Sequence, residues 1–536
     1  MTSMKDNKKT VILITLSPTT QRTAEENLGI EYLASMIELK GINVKLIDQW
    51  LTNINIEEIY RIIEKTSNVL FIGISCYMTN IKKSIELIKY IKDKYNIPVI
   101  CGGFGPTFNP QFFLDNAVDI VSIGEGEKTI QDIVDYYLYK TIDINNIKGI
   151  AYNEHNKIKF SPQSILIDDL NKIPFPKRAF MNEINKRKCT VNVVTSRGCS
   201  GRCEFCSVIQ FFKKSNGICW RARSIENIIE ELIILKNQNI KYVKFVDDSF
   251  IDGNRDIEWC KIFLKQLKEK NINMNFRGQI RADKVNKNIL KYLRKAGFFS
   301  FSVGIENGSK SVLKRINKKV SLTDNIKALK YFKQNKYIVQ MGFILFDNET
   351  TLKELKENYK FLSRFKWTVT KGVFSEMFPA EDTKFTNRLK KEKLIINEKD
   401  IEQNYKYRLK NKEIQKIYDI LKKWQKLNSE LYDMVIDPLS APKALPIIEL
   451  KKIYKQYKII KDIDLKFFKY VLNNYKIINN YDQEIKEFRK KYNNKFELVQ
   501  KNIKQIYIEN ELEYDSNTNT FLVTVQTLKI TNLNKC

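Results

Sequence analysis

The sequence predicts an α/β protein in three parts: an N-terminal parallel sheet covered on both faces, a partial barrel of about six βα units, and a mainly helical C-terminal region. Short, nearly continuous apolar runs alternate with amphipathic helical patterns from Thr10 to about Tyr137, and the alternation returns from Cys189 to about Pro379. Strands buried on both faces read as unbroken apolar runs, and helical crossovers between them make the strands parallel. From about Glu381 onward, long Lys/Glu/Tyr/Ile stretches carry helical spacing.

The elements follow in order. VILITL is the first strand, NLGIEYLASMIELKG a helix with Gly41 as its C-cap, and NVKLID the next strand. NVLFIGISCY, PVICGG and VDIVSIG supply further strands, separated by IKKSIELIKYIKDKY and followed by a helix after GEGEKT. GIAYNEHNKIKF reads as a small hairpin, and SILIDDLNKIPFPKRAF as a connecting arm. The barrel strands are VNVVTS, KYVKFVDD, MNFRGQIRA, FFSFSVGIE, YIVQMGFILF and WTVTKGVFSEMF, with chemistry expected at their C-terminal ends. A last hairpin is expected in NELEYDSNTNTFLVTVQTLKI. The expected domains are 1–147, a connector with the small hairpin over 148–188, 189–385 and 386–536.

Composition narrows the function. A chain of 536 residues exceeds one core, and 43% hydrophobic residues can fill several. No stretch approaches the length of a membrane span, and VILITL is too short for a signal-peptide core, so a cytoplasmic protein with no membrane partner is expected. The net charge of +30 is mostly lysine spread through a chain rich in Ile and Asn. Runs such as RLKKEK are expected as solvated helix faces, and nucleic acid is not the expected partner. Nine scattered cysteines argue for reduced thiols, some of them metal ligands. With His155 the single histidine, Ser-His-Asp and Cys-His catalysis would have to use that residue, and HExxH zinc and two-histidine iron sites, which need two, cannot exist here.

TSRGCSGRCEFCSV places Cys199, Cys203 and Cys206 at C-x3-C-x2-C spacing. Structural zinc wants four closed ligands, whereas three thiolates from one turn of chain suit a [4Fe-4S] cluster with one iron left open. The loop follows VNVVTS and so belongs at the barrel mouth. In motif and position it resembles the radical SAM superfamily, and Phe205 is that family's usual aromatic. The resemblance implies S-adenosylmethionine on the open iron and its cleavage to a 5'-deoxyadenosyl radical. Asp247 or Asp248 is then expected to meet the ammonium of S-adenosylmethionine, helix capping being the other reading, and Arg281 a carboxylate or ribose. FSVGIENGS is similar to the family's GIESGS stretch, so Gly304 would let backbone approach adenosine and Glu306 would face the ribose. MGFILFDNETT departs from the family's GxPGET at Leu345, Asp347 and Asn348, which leaves adenine to backbone near Gly342. WRARSIENIIEEL resembles a family helix start with Ser224 as N-cap. Cys219 is expected not to be a fourth ligand, since it would block the open iron.

NLGIEYLASMIELKGINVKLID, GISCYM, ICGGFGPT and VSIGEGEKT resemble the cobalamin-binding domain of B12-dependent radical SAM proteins, a Rossmann-like parallel sheet, here without GxGxxG. The barrel is correspondingly expected as a TIM-like (β/α)6 unit. Ser75, Gly102, Gly103, Gly124 and Glu125 match positions that pack the nucleotide tail and corrin, and Tyr77, Met78 and Thr79 lie in the loop that covers the lower face. IDQWLTN stands where other cobalamin proteins carry D-x-H-x-x-G, so no histidine grips cobalt from below. The resemblance spans about residues 10–380 and implies a cobalamin-dependent radical SAM methyltransferase. Its substrate would be an unactivated carbon of a small-molecule or peptide natural-product precursor, with electrons from a reducing partner such as flavodoxin or ferredoxin. The alternatives are cyclisation or rearrangement with the same cofactors, RNA modification, and a non-catalytic cobalamin or redox sensor. The aromatic spacing of the C-terminal third suits closure over the site and helix core equally.

Overall fold

In the computed structural model, residues 8–18, 26–186, 189–370, 372–397, 405–440, 445–515 and 520–522 are described. Five parallel strands form the N-terminal sheet: β1 (Thr10–Thr15), β2 (Asn43–Asp48), β3 (Val69–Ser75), β4 (Val99–Gly102) and β5 (Ile120–Ser122). The helices Leu28–Glu38 and Glu127–Val134 bury one apolar face against it, and Ile81–Lys94 covers the other. The hairpin β6 (Ile150–Glu154) and β7 (Lys157–Phe160) does not stand in a connector. It extends this sheet, giving the order β2-β1-β3-β4-β5-β6-β7, with β6 antiparallel to β5. Buried Ile150, Ala151 and Tyr152 thereby pair an edge that β5 would otherwise leave open.

The second sheet contains β8 (Val191–Val193), β11 (Tyr242–Phe245), β12 (Asn275–Arg281), β13 (Phe298–Glu306), β14 (Ile338–Phe343) and β15 (Val369–Thr370). Its order β15-β14-β13-β12-β11-β8 is parallel throughout, an open six-stranded barrel wall. Between β8 and β11 the short ribbon β9 (Ser196–Arg197) and β10 (Arg221–Ala222) brackets the cysteine loop. Stacked and tilted rings of Phe245, Phe250, Phe276, Phe298 and Phe301 fill the wall's core. The last expected strand is shorter than WTVTKGVFSEMF: only Val369 and Thr370 join the ladder, and Phe346 bridges to Glu376 beyond them.

C-terminal helices cover that short edge strand. Thr370 donates its amide to Tyr457 Oη at 2.8 Å, and Lys461 Nζ donates to the Thr368 carbonyl at 2.5 Å, both from the helix Ile447–Asn474. Trp424 stacks on Phe467 beside Phe488 and Phe496, so the aromatic spacing of this region is helix core. The expected terminal hairpin appears as Glu513–Asp515 paired with Thr520–Leu522; its turn and residues 523–530 lie outside the described residues. Among the described residues, no helix is long and apolar enough to cross a membrane.

The two sheets are tied through the connector. Arg178 donates to Glu26 at 2.7 Å and to Glu231 at 2.5 Å, and Arg223 donates to Glu231. All four side chains are almost wholly buried.

Candidate functional site

At the C-terminal ends of β1, β3, β4 and β5 lies a cavity of about 270 Å³ lined by Gly73, Ser75, Ile100, Gly102, Gly103, Ser122 and Gly124, closed on the barrel side by Arg197, Phe211 and Phe212. Small residues at successive strand ends leave room for a flat ring. Among the described residues Ser122 Oγ is buried there without a hydrogen-bond partner, so a ligand's polar atom would satisfy it. Gly124, at φ +84°, turns the chain at the rim where a Cβ would come 2.7 Å from Ser215 Oγ.

The cysteine loop leaves β9 and ends where Cys206 caps the short helix Ser207–Phe212. Gly198 adopts φ +81°, and a Cβ there would stand 2.1 Å from the Cys219 carbonyl oxygen, so the loop lies directly on the returning chain. Asp248 accepts the Gly198 amide at 3.0 Å, and Asp252 accepts the Ser200 amide and hydroxyl. The described cysteines are all free thiols, and Cys199, Cys203 and Cys206 are half-buried. Burial pushes the Cys206 thiol up to about 11 against amide hydrogen bonds from Val208 and Ile209. Among the described residues no three Cys, His, Asp or Glu side chains gather tightly enough for a single metal ion. A cubane asks for something looser, since each thiolate binds a different iron. A trio of free sulfurs with cations beside them fits that requirement.

Those cations are Lys318 and Arg281. Lys318 is buried and donates to Glu306 Oε1 at 2.8 Å. Burial disfavours its ammonium, but the charges of Glu306 and Cys203 outweigh that and raise its pKa. Glu306 follows a bulge in β13 and takes φ +65°, unusual for a side-chain-bearing residue, which folds its carboxylate back over the strand ends. A Cβ on Gly304 would meet Glu306 Oε1 at 2.6 Å, and one on Gly342 would meet Oε2 at 3.5 Å. The structure therefore brings Gly304, Glu306, Gly342 and Cys203 together, with Lys318 among them. No local motif singled Lys318 out.

Several expected residues do other work. Asp247 is buried, and its carboxylate is occupied inside the fold, accepting from the Thr195 amide at 2.7 Å, from the Thr195 and Ser196 hydroxyls and from Arg255. Its alternation with Val243 and Phe245, both buried, was a sequence signal for this inward side. Asp248 stays at the mouth, its pKa raised to about 6 by burial. Arg281 is committed to Asp283 at 3.0 and 3.1 Å, and its Nη1 lies against Gly201. Glu125 lines the cavity, but its carboxylate accepts from Arg197 at 3.0 Å and from Arg221 twice at 2.9 Å. Tyr77 packs edge-on against Trp50 and Met78 against the core, and neither lines the cavity. Ser224 caps its helix as expected, while His155 is exposed at the tip of the β6–β7 hairpin.

The cavity and the loop form one assembly. Arg197 stands two residues before Cys199 and Arg221 two after Cys219; Arg197 also pairs with Glu127. Arg197 lines the cavity itself, and both arginines reach from the loop's base to Glu125 at its rim. Burial works against the Glu125 carboxylate, but the two guanidiniums hold it below the usual carboxylate range.

Comparison with known proteins agrees with this two-part site. The B12 binding domain family matches residues 19–134 and the radical SAM superfamily residues 193–362. The chain is 30% identical over 383 residues to an uncharacterized methyltransferase of Pyrococcus horikoshii, covering 69% of this chain and 81% of that one. It is 28% identical over 373 residues to the 4'-phospho-dehydrooxetanocin synthase of Priestia megaterium, covering 63% of this chain and 48% of the synthase, about half its length. The cobalamin-dependent S-adenosylmethionine radical enzyme OxsB, solved with aqua-cobalamin bound, shares the fold at a TM-score of 0.76 and 21% identity, over 93% of this chain and 79% of that one. By its paired domains and its identity to the Pyrococcus protein, the chain belongs to the radical SAM enzymes that carry a B12 binding domain, whose cofactors are a [4Fe-4S] cluster, S-adenosylmethionine and cobalamin.

Proposed function

We propose that this enzyme is a methyltransferase that methylates an unactivated carbon of a small-molecule or peptide natural-product precursor. The clamp of Arg197 and Arg221 on Glu125 and Glu127 carries this reading, because it couples the cavity to the base of the cysteine loop. The methyltransferase name of the Pyrococcus relative points the same way. When bound, the cofactors would supply a carbon radical oxidant and a transferable methyl group.

The chain's own residues hold and orient. Cys199, Cys203 and Cys206 would present three thiolates, with Lys318 and Arg281 offsetting the negative charge around them. Gly304 and Gly342 would leave backbone open to adenosine beside the Glu306 carboxylate. Ser75, Gly102, Gly103, Ser122 and Gly124 would receive an arm of the corrinoid. Phe211, stacked on Phe104 at 4.5 Å, gives the space between the sites an apolar wall, which suits chemistry that water would quench.

The test is anaerobic turnover of reconstituted enzyme with methyl-labelled S-adenosylmethionine. Methylation yields 5'-deoxyadenosine, S-adenosylhomocysteine and labelled product. The likeness to a protein named a synthase favours one second reading, a non-methylating ring rearrangement with the same cofactors. That reading predicts 5'-deoxyadenosine and an unlabelled product. Formation of neither nucleoside with any candidate substrate would refute both.

A further inference from the structure

We propose that the basic face around the cysteine loop is the docking surface for a small acidic one-electron carrier protein. The inference rests on the proposed function, because that chemistry needs an electron delivered close to residues 199–206. Two elements are fixed against the outer side of this loop. Glu204 donates its amide to the Ile316 carbonyl at 3.1 Å, and Asn317 Nδ2 donates to the Arg202 carbonyl at 3.1 Å. Phe385 donates its amide to the Glu204 carbonyl at 3.2 Å, and Arg388 pairs with Glu204.

These elements, 310–319 and 383–391, contain no Asp or Glu. Their more buried cations are matched from elsewhere: Arg315 by Asp347 and Glu354, Lys318 by Glu306, Lys390 by Glu381. Arg202, Lys310, Lys314, Lys319, Lys384 and Lys391 are exposed and enter no ion pair among the described residues. Several other helices of this lysine-rich chain interleave the signs, as in Lys128–Asp132, Lys265–Glu269 and Lys466–Asp462; the helix Lys287–Lys295 also lacks acidic residues, but among the described residues no hydrogen bond or ion pair ties it to the cysteine loop. Asp382 and Glu392, which flank the second element, are paired with Lys214 and Lys410, so the face carries a net positive field that repels itself when bare and steers an acidic partner toward the loop. In the transfer the carrier is oxidised by one electron and the cluster reduced by one; no bond forms or breaks, and no proton moves.

The experiment compares reconstituted wild type with the Lys314→Glu/Lys319→Glu/Lys391→Glu triple variant, using flavodoxin as the probe. Flavodoxin binding is measured without turnover, and 5'-deoxyadenosine formation is driven by reduced flavodoxin or by dithionite. The triple variant should lose about tenfold or more in flavodoxin affinity and flavodoxin-driven rate, with dithionite-driven cleavage unchanged. Added salt should slow only the wild type. A matching Lys→Gln triple variant, with an unchanged circular-dichroism melt, should show a smaller loss. Reversing Lys451, Lys455 and Lys458 on the helix Ile447–Asn474 should change nothing. Unchanged flavodoxin binding in the first triple variant, equal loss in the second, or loss of tRNA binding in place of flavodoxin binding would overturn the docking surface. Absence of dithionite-driven cleavage in wild type would instead overturn the proposed function, a failure separable from the first because binding is read on its own.

Discussion

Replacing Glu125 tests the coupling between cavity and cysteine loop. Its carboxylate accepts from Arg197 at 3.0 Å, from Arg221 twice at 2.9 Å and from the Ile167 amide at 3.3 Å, with side-chain exposures of 7%, 15% and 4% for Glu125, Arg197 and Arg221. Removing one partner of a buried pair strands the other charge and costs about 3–5 kcal/mol. Glu125→Ala should approach that range, because Arg221 retains only carbonyl acceptors at Ile167 and Cys219. Glu125→Gln keeps one acceptor oxygen and should cost on the order of 2 kcal/mol. Glu127→Gln should cost less, since Arg197 keeps Glu125. Urea unfolding measures the order, and iron and sulfide content show whether the loop still assembles. Because Glu125 titrates below its ordinary value near 4.5 in the folded protein, the unfolded chain binds more protons just under that pH. The stability it contributes is complete above the ordinary value and is lost as pH falls through the depressed one. Glu127→Gln costing as much as Glu125→Gln, or a Glu125→Gln penalty that persists undiminished in acid, would refute the clamp.

Three other outcomes follow from the geometry. Cys219→Ser should load iron and sulfide like wild type while Gly198→Ala, whose Cβ would collide with the Cys219 carbonyl at 2.1 Å, should not; equal loading would contradict the loop geometry. Gly102→Ala places its Cβ at an ordinary 3.5 Å from Ser122 Cβ and should bind cobalamin normally, whereas Gly102→Leu should fill the cavity and weaken binding about tenfold or more by equilibrium dialysis. Burial drives the Lys461 pKa down to about 7 from 10.5, so the unfolded chain binds the extra proton between those values and stability should rise with pH there. Lys461→Met should flatten that slope in denaturant titrations at pH 7 to 10; an unchanged slope would assign it to other groups.

What was legible in the letters was whatever the chain states locally. The cysteine spacing, the strand ends around Gly102 and Gly304, and the apolar runs of both sheets each occupy a few consecutive residues, so periodicity and motif sufficed. Glu125 lines the cavity as its strand-end position implies, but its arginine partners lie 72 and 96 residues away, and only the packing of the β9–β10 ribbon on the first sheet brings them to it. The β6–β7 hairpin was detached from its sheet for the same reason: its own pattern shows two short strands but not the edge they pair with. Charge was the least legible property. Lys318 and Lys319 are neighbours of identical chemistry in a lysine-rich stretch, yet one is buried against Glu306 beside the cysteines and the other is exposed. Net charge counts them equally, and only the fold distinguishes the cation paired within the site from the one left on the surface. The same +30 therefore combines cations paired inside the fold with cations left on its surface.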